Sequence, residues 1–130
     1  MTNDFALPIS TRMGNRSASQ AIRGAVAAWP GTAEAPHRFG GVEFKLGERE
    51  IGHLHGERLL DVPFPRAVRE ELVSAGLAEP HHVLPHSGWI SFRIASERDA
   101  EAAVALLRRS YDLIVAQTER RKAQSRAVGR

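Results

Sequence analysis

The chain has 130 residues, 42% of them apolar and 25% charged, with no cysteine and a formal net charge of +3. That length suits one domain with a real hydrophobic core. The lack of cysteine excludes disulfides, thiolate metal sites, iron–sulfur clusters and cysteine nucleophiles. No apolar run approaches the roughly 18–20 residues of a membrane span, and no basic stretch followed by an apolar core opens the chain. The expectation is a soluble, cytoplasmic protein without a membrane.

Residues 1–16 are polar and unpatterned and read as a loose N-terminal arm. From Ser17 the pattern changes: a serine cap is followed by Ile22, Val26 and Trp29 at helical spacing, which predicts a first helix stopped at Pro30-Gly31. A turn-rich connection follows over 31–37. In 38–46, Val42, Phe44 and Leu46 alternate with Glu43 and Lys45, the mark of a half-buried strand. Gly47-Glu48 and Gly56-Glu57 are turn sites that separate strands at 49–55 and 58–62. Strands with such short links are antiparallel neighbours, because a parallel crossover needs a dozen or more residues.

Pro65 opens a helix with Val68, Leu72 and Ala75 on one stripe and Gly76 as its stop. Residues 81–84 read as a brief strand, and 89–95 as the clearest one, with Ile90, Phe92 and Ile94 opposite Trp89, Ser91 and Arg93. Ser96 and Asp99 have capping-box spacing ahead of a last helix over about 97–120. The order α-β-β-β-α-β-β-α predicts an α+β fold: an antiparallel sheet of about five strands, with the first and last helices packed on one face. The domain spans 17–118, and 119–130 is a basic tail.

The basic excess lies at the ends. Arg120, Arg121, Lys122, Arg126 and Arg130 face only Glu119 in the tail, whereas 31–116 holds more acidic than basic residues. A nucleic-acid-binding domain needs a basic face on the fold itself, so nucleic acid is disfavoured as a partner except as weak binding through the termini.

The chemistry-bearing stretch is Gly52–Arg58. On a strand His53 and His55 project to one face, where two imidazoles can share a metal, with Glu57 or a third histidine completing the set. His81 and His82, being adjacent, are expected on opposite faces of their strand. The His-x-His spacing resembles the opening of the cupin motif, but the acid follows too closely and a second motif is absent. A histidine beside Arg58 or Arg93 could instead serve as a general base. Trp89 with Arg93 offers a platform on the open face for a small molecule or a protein partner. No phosphate-binding glycine loop and no nucleophile elbow is present, and composition identifies neither cofactor nor oligomeric state.

The segments GHLHGER (52–58), LDVPFP (60–65), EPHHVLP (79–85), SGWISFRI (87–94) and SYDL (110–113) resemble the small bacterial luciferase-domain proteins, otherwise a domain of unknown function. The second half is also similar, more distantly, to YjbR-like proteins with a frataxin-like α+β sandwich. These resemblances imply a fold rather than an activity. The polar positions they carry over are His53, His55, Arg58, His82, Trp89 and Arg93. The expectation is a ligand- or partner-binding module on the exposed sheet face, with a histidine-based enzyme or mononuclear metalloprotein using His53 and His55 as the alternative.

Overall fold

The computed structural model describes residues 17–37 and 40–128. The expected arm at 1–16 lies outside the described residues. Helix α1 (Ala18–Ala27) is followed by strands β1 (Thr32–Pro36), β2 (Val42–Leu46), β3 (Arg49–His55) and β4 (Leu59–Pro63). Helix α2 (Arg66–Ser74), the two-residue β5 (Glu79–Pro80), β6 (Trp89–Arg93), a 3-10 turn (Glu97–Asp99) and helix α3 (Ala100–Val128) complete the chain.

The strands form one antiparallel sheet in the order β1-β2-β3-β4-β6-β5, with six strands where the pattern predicted about five. The extra one is β1, in the stretch expected to be only a turn-rich connection. Thr-Ala-Glu-Ala-Pro has little β propensity, and an edge position tolerates what a central strand would not. The fourth predicted strand moves to Glu79–Pro80 and leaves 81–84 irregular. Helix α3 runs on to Val128, well past the expected end, with its last turns exposed. No helix among the described residues is long and apolar enough to cross a membrane.

The helix boundaries follow local chemistry. Ser17 Oγ accepts the Gln20 N–H at 3.1 Å while Gln20 Oε1 accepts the Ser17 N–H at 3.2 Å, a reciprocal cap. The Ser96/Asp99 box forms as predicted, with Asp99 Oδ2 accepting from the Ser96 N–H at 3.2 Å. One sheet face is apolar: Phe44, Ile51, Leu54, Leu60, Val62 and Ile90 are buried with Ile22 and Val26 of α1 and Ala103, Leu107 and Ile114 of α3. Tyr111 in α3 donates its hydroxyl to the Pro30 carbonyl at 2.6 Å and packs on Trp29, tying the two helices together.

An irregularity in β3 decides what the other face presents. Phe44 pairs with Gly52 but Lys45 with Glu50, so β3 carries an extra residue at Ile51. This β-bulge lets both Ile51 and Leu54 enter the core while Glu50, His53 and His55 stay together on the open face. Gly52 fits because a Cβ there would lie 2.7 Å from Leu107 Cδ2 and 2.9 Å from the Asp61 carbonyl oxygen. Ser110 of α3 donates to the Ile51 carbonyl at 2.8 Å, so the bulge is held from the helix side.

Candidate metal centre on the open sheet face

The register lines up polar residues across the open face. Glu43 pairs with His53, His53 with Asp61, Asp61 with Ser91, and Ser91 with Glu79. Asp61 is the centre of this row and is fully buried. Ser91 Oγ donates to Asp61 Oδ1 at 2.7 Å. The other oxygen, Oδ2, has four imidazole nitrogens around it: Nε2 of His55 at 2.9 Å, of His82 at 3.0 Å, and of His53 and His81 at 3.3 Å each. His37 stacks on His53 with ring centroids 4.0 Å apart. The Trp89 indole borders the cluster, 5.3 Å from the His53 ring and 5.8 Å from that of His81.

The second nitrogen of each ring separates the roles. His81 Nδ1 accepts the backbone N–H groups of Val83 at 3.1 Å and Leu84 at 2.9 Å. Its proton therefore sits on Nε2 and is donated to Asp61, which makes His81 a hydrogen-bond donor that shapes the loop. His53 has a carboxylate at both ends, Glu50 Oε2 at 2.5 Å from Nδ1 and Asp61 beyond Nε2. A carboxylate on the far nitrogen is the usual device for orienting a metal-binding imidazole. His55 and His82 are edge-on to each other, 5.7 Å apart, so their in-plane lone pairs can converge.

Among the described residues two groups of three donors lie close enough to hold an ion: His55, Asp61 and His82, and His37, His53 and His55, each with its ligand atoms within 4.8 Å of one another. The second is the poorer cage, because the nearly parallel His37 and His53 rings direct their lone pairs side by side.

Electrostatics reinforce this division. Burial alone would lower the His53 pKa, but the hydrogen bonds to Asp61 and Glu50 and their charges raise it to about 9. Burial would raise that of Asp61, yet hydrogen bonds from His53, Ser91 and His82 and the nearby His81 hold it well below the usual carboxylate range. Burial lowers the pKa of His37 and of His81. A histidine raised from about 6.5 contributes stability in full below that value. The contribution is lost as pH climbs through 9, where Glu50 and Asp61 lose the cation between them. His37 and His81 have the opposite sign: what they contribute is present above about 6.5 and is lost as pH falls. In the metal-free chain the His53 ring protons are therefore expected to titrate near 9 by NMR, with a lower urea midpoint at pH about 10 than at pH about 7. A His53 titration at the ordinary histidine value would contradict this.

The residues singled out by sequence divide into two groups. His53, His55, His82 and Trp89 come together at Asp61. Arg58 does not: it is exposed in the β3–β4 turn, where its carbonyl accepts the Ile94 N–H at 2.8 Å. Arg93 is also exposed and pairs with Glu79 at 3.4 Å. Glu57, suggested as a further ligand, instead accepts the Ser19 hydroxyl at 2.8 Å. The expectation of opposite faces for His81 and His82 is corrected as well. The strand stops at Pro80, alternation ends with it, and both rings turn onto Asp61. Asp61, Ser91, Glu50 and His37 were missed. The one signal for Asp61 was a lone carboxylate inside the apolar strand Leu-Leu-Asp-Val-Pro, where an ionised group needs a partner.

Residues 48–110 match the Luciferase domain family. The resemblance to luciferase-domain proteins drawn from the sequence motifs is thereby borne out, and the more distant YjbR-like one stays an expectation. The matching stretch runs from Glu48, just ahead of β3, to Ser110 in α3. It therefore contains Glu50, His53, His55, Asp61, His81, His82, Trp89 and Ser91, while His37 lies outside it. No curated protein and no solved structure matches the chain.

Proposed function

We propose that the open face of the sheet carries a mononuclear divalent-metal centre held by His55, Asp61 and His82, with His53 beside it as an oriented imidazole. The observation that supports this most directly is the crowding of four Nε2 atoms within 3.3 Å of one carboxylate oxygen. A carboxylate offers about two lone-pair sites per oxygen. Four nitrogens are more than hydrogen bonding to that oxygen uses, and a cation seated among them would draw lone pairs from His55 and His82 together with Asp61.

Two imidazoles and one carboxylate, without thiolate, suit zinc, iron, manganese or nickel and leave coordination positions open. Trp89 borders the same cluster through His53 and His81, so a small molecule at the open positions is the partner this reading favours. This is the metalloprotein alternative of the sequence reading with a changed ligand set: that reading took His53 and His55, whereas here His55 is kept, Asp61 and His82 are added, and His53 stands beside the ion. The binding-module reading survives as the small molecule at the open positions. The basic residues Arg120, Arg121, Lys122 and Arg126 lie on the exposed last turns of α3 and take no part in the cluster around Asp61.

The test is metal content and calorimetric zinc, iron(II) and manganese binding by the untagged chain. About one equivalent is expected, lost in His55→Ala and His82→Ala but kept in His81→Ala, whose Nε2 carries a proton. A wild-type chain that takes up none of the three metals would overturn the reading, as would a His81→Ala variant as deficient as His55→Ala.

A further inference from the structure

Away from the histidines, a cavity of about 390 Å³ opens where α3 leaves the end of the sheet. Its body is apolar, with Phe64, Leu113 and Ile114 in the lining, and its polar residues are Arg49, Glu50, Ser110 and Gln117. That volume falls in the range of sites that hold small organic molecules, typically about 300–1,000 Å³. The composition also fits one: an apolar lining with a few polar groups at one end.

The charges in the lining are not equivalent. Glu50 is already committed, since its carboxylate accepts from His53 Nδ1. Arg49 is held by a neutral group, donating from Nη2 to Gln117 Oε1 at 2.9 Å, and among the described residues no carboxylate pairs with it. An exposed guanidinium with only an amide partner is free to donate to a carboxylate, which can accept from it bidentately. Ile114 is the last buried residue of α3, so the floor of the cavity belongs to the core while the Arg49–Gln117 hydrogen bond at its rim is exposed.

We propose that this cavity is a binding site for a small amphipathic monocarboxylate, its apolar body against Phe64, Leu113 and Ile114 and its carboxylate on Arg49. Such an occupant would lie against Glu50, one hydrogen bond from the His53 ring. The site stands independently of the metal reading.

The experiment titrates the metal-free full chain with 3-phenylpropionate and, in parallel, with the neutral 3-phenylpropanamide, following the Leu113 and Ile114 methyl resonances. The carboxylate is expected to shift these methyls and to bind about tenfold or more tightly than the amide. Arg49→Gln should bring the carboxylate down to the affinity of the amide without changing the melting temperature by more than a surface substitution does. Equal affinities for the two probes in the wild-type chain would overturn the proposal. So would methyls that stay unmoved up to the solubility of the carboxylate.

Discussion

Asp61→Asn should lose metal binding and much of the fold's stability together. Asp61 is fully buried, and its Oδ2 is shared among His53, His55, His81 and His82. The amide keeps the shape of the carboxylate but removes its charge and gives two donors in place of one acceptor. The His53 imidazolium would then lose a charged partner, and the His81 N–H would meet either a neutral amide oxygen or an amide nitrogen that cannot accept at all. Removing one partner from a buried ion pair costs about 3–5 kcal/mol, which urea unfolding of the metal-free chain would register. Metal affinity should fall by more than the roughly 10–100-fold that loss of an outer orienting partner causes, since the proposed centre uses Asp61 as a ligand. The His53 pKa should also drop from about 9, because one of its two carboxylates is gone. A variant with wild-type metal binding and stability would remove Asp61 from the centre of the site.

The second large effect is expected at Gly88. It ends the loop that carries His81 and His82 and precedes Trp89. A Cβ at Gly88 would stand 2.0 Å from the Phe64 carbonyl oxygen, and the Phe64 N–H donates to the Gly88 carbonyl at 3.2 Å. Neither partner is a side chain that can swing aside, so Gly88→Ala must separate two bonded stretches of backbone. Forcing atoms into filled space costs about 1–3 kcal/mol, and this site belongs at the upper end. The shift would also reach Trp89 and the His82 loop. Arg66 and Arg69 of α2 pin that loop by donating to the His86 carbonyl at 2.7 Å and the Pro85 carbonyl at 2.5 Å. Changed tryptophan emission and weaker metal binding should therefore accompany a lower melting temperature. An alanine variant that matches wild type in all three would show that this approach is not needed.

The fold was readable where one rule governed a stretch. Alternation in 42–46 and 89–93, the Gly47 turn and the caps at Ser17 and Ser96 each reflect local chemistry, and each stands in the structure. Strand β1 was not readable, because nothing in Thr-Ala-Glu-Ala-Pro announces a strand until β2 is beside it. The site divides in the same way. His53 and His55 share a strand, so their common face follows from period two. The partners of Asp61 come instead from a neighbouring strand and from a loop about twenty residues further on, and only the register unites them. Position 81 misled because alternation was carried past the proline that ended the strand.

The two outer strands of the sheet are β1 and β5. Each closes on a proline, Pro36 in one and Pro80 in the other, and β5 is only two residues long. An outer strand is a template on which a second chain can add, and a proline has no N–H to offer it. Glu34 on β1 is further clamped by Arg23 of α1 at 2.9 Å, which sets a charged pair along that margin. The sheet is thus guarded at both margins against growing by one strand from a neighbour, which disfavours fibrous self-association.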